Sequence, residues 1–133
     1  MLRDEMREVL LSAALARRTV TYGYLMGRFG LARGSEGRSV VAVLGEIDAA
    51  EALAGAPGFA ALVVRKDTGY PGGGFFCWEG LPASLRRPSE RANDPNLSTG
   101  EMRYVRGQQE RIWAYYREHA GGPSSSGQAW IDV

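Results

Sequence analysis

Five arginines, Arg17, Arg18, Arg28, Arg33 and Arg38, fall within 22 residues that hold one acid, Glu36. A cluster of this kind can neutralise phosphates and bind a polyanion in a salt-sensitive way. Tyr22 lies inside the cluster, and Arg65, Lys66 and Tyr70 form a second basic and aromatic group around the Asp67-Thr-Gly-Tyr-Pro-Gly-Gly-Gly-Phe75 stretch. The other reactive side chains are sparse. Cys77 lies between Phe76 and Trp78 and reads as an inert core thiol. The single histidine, His119, ends a helical pattern, where an imidazole complements the helix dipole. Asp67, Glu79, Glu90 and Asp94 supply carboxylates, but without the spacing of a two-metal site. One cysteine and one histidine can form neither an internal disulfide nor a cage of four metal-binding side chains. No catalytic residue, metal or cofactor is expected, and a reducing cytoplasm suits the chain.

The elements that would hold these residues follow from periodicity. Met6, Val9, Leu10, Ala13 and Ala14 share one helical face, which predicts a helix over 3–16 closed by Arg17-Arg18. Thr19–Tyr22 is β-branched and reads as a short extended segment. Thr21 is then the N-cap of a second helix, Tyr22–Phe29, stopped by Gly30. A third helix starting at Ser35 or Gly37 carries Val40, Val41, Val43, Leu44 and Ile47. Phe59–Val64 reads as a buried strand, the glycine-rich stretch as a turn, and Phe75-Phe-Cys-Trp78 as a second strand, giving a Gly-rich β-hairpin. With no helix after it, that stretch is not a nucleotide-binding P-loop. Residues 79–100 read as an irregular surface connector. Met102, Val105, Gln109, Ile112, Trp113 and Tyr116 then mark a C-terminal amphipathic helix over Glu101–His119.

The 133 residues, 44% of them hydrophobic, suffice for one core, expected over 1–120 with a flexible tail at 121–133. The longest apolar runs fall far short of the roughly 20 residues needed to cross a bilayer, so no membrane partner is expected. The N-terminus has no apolar signal region and is expected to remain in the mature chain. A net charge of only +1 gives no global basic field.

Thr19-Val-Thr-Tyr-Gly-Tyr-Leu25, Gly37-Arg-Ser-Val-Val-Ala-Val-Leu44, Val63-Val-Arg-Lys-Asp-Thr-Gly69 and Gly72-Gly-Gly-Phe75, in this order, resemble the winged-helix domain of the alkylguanine-DNA alkyltransferases and their non-enzymatic alkyltransferase-like relatives. The resemblance covers about residues 3–78. It implies an α+β domain of winged-helix type, with Tyr22 near the backbone of a target nucleotide and Arg38 entering the base stack. The family's proline-cysteine-histidine-arginine motif falls on Phe59-Ala-Ala-Leu62, where no thiolate and no activating base can form.

The expected function is therefore non-catalytic binding of duplex DNA. The third helix would be the groove reader, the hairpin the wing, and Tyr22, Arg28, Arg33, Arg38, Arg65, Lys66 and Tyr70 the contacts. The rival expectation is a protein-interaction module, an inhibitor or regulatory subunit, using the C-terminal helix with Trp113, Tyr115 and Tyr116. A small nuclease or hydrolase with a carboxylate site is the third.

Overall fold

The computed structural model describes residues 2–31, 39–77, 81–92 and 94–120. Arg33, Arg38, Trp78, Glu79 and the tail at 121–133 lie outside them, as do Ser35 and Gly37.

Helix α1, Leu2–Leu15, buries Met6, Leu10, Leu11, Ala13 and Ala14, close to the stripe read from periodicity. The turn after it contains Arg17, whose φ of 55° is in the left-handed region that a non-glycine residue enters only with support. That support is tertiary. The Arg17 guanidinium donates to both oxygens of Glu110 at 3.0 and 3.1 Å and lies 4.8 Å over the Trp113 ring. Arg17 thus pins the α1 corner to the C-terminal helix.

Strand β1, Val20–Thr21, leads directly into α2, Tyr22–Phe29. Thr21 accepts from the Tyr24 N–H as N-cap, and Gly30 closes the helix at φ 64°. Helix α3, Val40–Leu53, begins at Ser39, whose hydroxyl accepts from the Ala42 N–H. Val40, Val43, Leu44 and Ile47 enter the core, but Val41 is 64% exposed.

The expected buried strand over 59–64 is shorter than its apolar run suggests. Residues Ala60–Leu62 form a 3-10 turn, and only Val63–Val64 extend as β2. Asp48 on α3 explains the turn: its two oxygens accept the Phe59 and Ala60 N–H groups at 2.7 and 3.2 Å. A Cβ on Gly58 would collide with the Asp48 carboxylate, so only glycine fits beneath it.

The hairpin expectation is corrected in the same region. Gly73–Phe76 is one turn of helix, α4, so Phe75 and Phe76 are not in a strand. β2 instead pairs in parallel with β1, Val20 opposite Val63 and Thr21 opposite Val64. The extended β1 lies where β2 can reach it, while Phe76 turns inward to pack on Leu81 and Val105. The fold is a helix-rich α+β domain with a small two-stranded parallel sheet.

The connector expected as irregular surface chain is organised from within. Arg87 is 5% exposed and uses all five of its N–H donors. They reach both oxygens of Glu101 at 2.6 and 2.9 Å and the carbonyls of Arg91, Asp94 and Asn96 at 3.3, 2.8 and 3.0 Å. Its guanidinium also lies 4.8 Å over the Phe76 ring.

Glu101 closes a capping box with Ser98: the Ser98 hydroxyl accepts the Glu101 N–H, and Glu101 accepts the Ser98 N–H. Helix α5 therefore starts at Thr99, two residues before the expected boundary, and runs to Ala120. Its buried face carries Val105, Gln109, Ile112, Trp113 and Tyr116. Phe59 stacks on Tyr116 with ring centroids 4.7 Å apart, which joins α5 to the 3-10 turn.

Asp48 and the two paired glutamates give stability a pH dependence whose signs oppose. Burial pushes the Asp48 carboxyl from 3.8 up to about 6, outweighing the two N–H groups that lower it, and Glu51 adds to the rise. The native state therefore binds this proton more tightly than the unfolded chain does, and stability falls as pH rises from about 4 to about 6. The Glu51 carboxyl is held below its ordinary range first by Arg7, with Tyr116 assisting, and Glu101 first by Arg87. Their contribution is full above the ordinary glutamate range and is lost on acidification below it. The unfolding midpoint is expected to peak near pH 4.5–5 and decline toward neutrality. Asp48→Asn, although less stable overall because its amide cannot accept two N–H groups, should abolish the neutral-side decline. A decline of the same slope in Asp48→Asn would assign it to another group.

Candidate nucleic-acid interface

Tyr22 opens α2 half-buried, and its hydroxyl accepts the Gly72 N–H at 3.3 Å, joining the helix to the turn after β2. Burial pushes the phenol above its usual value, against the opposing influence of Gly72 and Arg65, so it stays protonated. Its own O–H hydrogen has no protein acceptor among the described residues.

The turn itself is closed by the Arg65 N–H donating to the Tyr70 carbonyl at 2.9 Å and by Gly69 at φ 75°. Thr68 accepts the Tyr70 N–H at 3.1 Å. The Tyr70 ring packs half-buried beside the Phe76, Leu81 and Val105 cluster. Arg65 is tied to both oxygens of Asp67 at 2.9 and 2.6 Å, so its charge is locally matched. Lys66 is exposed.

Arg28, in the last turn of α2, is exposed and lies 5.4 Å over the Phe29 ring. The structure thus brings Tyr22, Arg65, Lys66 and Tyr70 around one turn, with Arg28 at the far end of the helix that Tyr22 begins. Sequence reasoning missed Arg106 of α5, whose guanidinium lies 5.4 Å over Tyr70. Only the fold could reveal it, since 36 residues separate the pair.

The outer faces of α2 and α3 are smooth. Gly23, Tyr24, Gly27 and Arg28 face outward on α2, and Val41, Ala42, Gly45, Glu46, Ala49 and Ala50 on α3. A Cβ at Gly23, Gly27 or Gly45 would meet nothing within 4 Å. None of the three has positive φ. Neither internal packing nor backbone geometry therefore requires glycine there, although glycine costs a helix interior about 1 kcal/mol relative to alanine. Helix α3 as described has no arginine, lysine, asparagine or glutamine, the side chains that make bidentate contacts to guanine or adenine edges in a major groove.

The remaining expected chemistry is scattered. Phe59, Ala61 and Leu62 are buried in the core. Cys77 is half-buried, with its thiol 3.8 Å from the Pro88 carbonyl. His119 stacks on Tyr115 and lies 2.8 Å from the Tyr115 carbonyl. Among the described residues no group of three or more histidine, cysteine or acidic side chains could hold a metal. No helix among them is long and apolar enough to cross a membrane.

Trp113 and Tyr116, expected to serve a protein partner, are 8% and 2% exposed and pack inward. Tyr115, the third of that expected set, is half-buried. The helical stripe of Trp113 and Tyr116 is the cover of the core.

Comparison with protein-family models, with curated proteins and with solved structures yields no match to this chain.

Proposed function

We propose that this chain is a non-catalytic module that binds duplex DNA through α2, α3 and the 65–72 turn, in the manner of a winged-helix domain of alkyltransferase-like type. The observation that carries the reading is the set of exposed helical glycines, Gly23, Gly27 and Gly45, with open space above each. Glycines retained against helix propensity on an outer face suit the close approach of another molecule's backbone. Arg28 and Lys66 border the site with positive charge, and the spare Tyr22 proton suits a phosphate oxygen. With no side chain on α3 that donates to base edges in the manner of arginine, lysine, asparagine or glutamine, recognition through that helix would rest mainly on shape and close contact.

A second reading, docking of a protein helix, is favoured by the nearly uncharged face of Val41, Ala42, Ala49, Ala50 and Leu53, the last 91% exposed. Salt separates the two, because phosphate contacts weaken steeply with ionic strength and apolar docking does not.

The test is the variant Gly23→Ala/Gly27→Ala/Gly45→Ala. Its helices are expected to gain about 1 kcal/mol at each of the interior positions 27 and 45, raising the unfolding midpoint. Its affinity for a duplex should nevertheless fall on the order of 10-fold, about 1.4 kcal/mol. Unchanged duplex affinity in the more stable variant would remove the basis of the proposal.

A further inference from the structure

Among the described residues four arginine guanidinium groups stand 4.8–5.4 Å from the centre of an aromatic ring, and they divide into two kinds. Arg17 over Trp113 and Arg87 over Phe76 are each also held by a carboxylate, Glu110 and Glu101. Arg28 over Phe29 and Arg106 over Tyr70 have no carboxylate partner among the described residues. A guanidinium held beside a ring by cation–π attraction engages the ring through its face and leaves N–H donors for another acceptor. The ring limits the conformations it must lose on binding, so it is preorganised for the two oxygens of a phosphate.

Tyr70 is a fixed support. Its carbonyl accepts the Arg65 N–H, its N–H donates to Thr68, and its ring packs on the Phe76 cluster. It also stands two residues before Gly72, which donates to Tyr22. The α5 cation is therefore coupled through one turn to the start of α2.

We infer that Arg106 on α5, laid over Tyr70, is a second phosphate-binding site of this protein, matched by Arg28 over Phe29 at the end of α2, so that the nucleic-acid footprint extends onto the C-terminal helix. This rests on the DNA-binding reading above. Arg106 supplies a bidentate contact to a backbone phosphate and no base readout. Its effect is uniform across sequences.

The experiment measures duplex affinity of the full chain between about 50 and 200 mM salt for wild type, Arg106→Gln, Arg28→Gln and Arg111→Gln. Arg111 is an exposed arginine of the same helix with no ring contact among the described residues. Arg106→Gln and Arg28→Gln should each lower the salt slope by about 1, so that about 3-fold less affinity is lost across this range. Their melting temperatures should match wild type, and Arg111→Gln should leave the slope unchanged. If wild type binds but Arg106→Gln keeps the full slope, or Arg111→Gln loses as much, the α5 site is overturned while the DNA-binding reading stands. If wild type fails to bind duplex even at the lowest salt, both fall together.

Discussion

Arg87→Ala is expected to destabilise the protein by about 3–5 kcal/mol, the usual cost of removing one partner from a buried ion pair. The variant leaves Glu101, whose side chain is 7% exposed in the native protein, without its cation, and it also removes a donor from the carbonyls of Arg91, Asp94 and Asn96, the first of which keeps the Asp94 N–H. A domain of this size is stable by roughly 5–15 kcal/mol, so the loss is a large share of the total.

A double variant separates the pair from its surroundings. Arg87→Met/Glu101→Leu removes both charges and should recover part of the loss, since apolar replacement of a buried pair is often close to neutral. Recovery should be incomplete, because methionine cannot donate to three carbonyls. Denaturant unfolding provides the measurement. A midpoint unchanged by Arg87→Ala would mean that the connector at 81–98 folds without its central cation.

Trp113→Ala should cost a similar amount, about 3–5 kcal/mol for truncation of a large core aromatic. The ring covers the core beside Ile112 and Tyr116, carries the Arg17 guanidinium on one side, and donates its indole N–H to the Arg18 carbonyl at 3.1 Å. Arg17 would then keep its left-handed backbone with only Glu110 to hold it. Trp113→Phe retains most of the packing and loses the hydrogen bond, so it should cost about 1 kcal/mol from that bond, plus a smaller packing term. Equal losses in the two variants would show that the N–H, not the ring, secures the corner. No loss in either would place the stripe at a surface.

Local physical chemistry made much of the scaffold legible in the sequence. The α1 and α5 stripes follow from the 3.6-residue period, and Thr21 and Gly30 bound α2 because one can accept an orphan N–H and the other can adopt positive φ. Ser98-Thr-Gly-Glu101 is likewise a local capping signature, and it places the start of α5 two residues earlier than hydrophobic periodicity alone suggests. Tyr22, Arg65, Lys66 and Tyr70 could be singled out from residue type and spacing, and they do gather around one turn.

The remainder depended on partners distant in the chain. Phe59–Leu62 has the composition of a strand, but Asp48, 11 residues away, takes its N–H groups and turns it. A strand of two residues has no periodicity of its own, so nothing in Val63–Val64 reveals whether it pairs with Val20–Thr21 or with the aromatic segment after the turn. Arg87 looks like any surface arginine until the connector wraps it, and Arg106 gains its place over Tyr70 only when α5 packs against the turn. Periodicity and capping are decided within one or two helical turns, and the sequence by itself determined them. Strand pairing, the burial of a charge and the meeting of a cation with a ring depend on which distant surfaces are brought together, and the tertiary structure alone decided them.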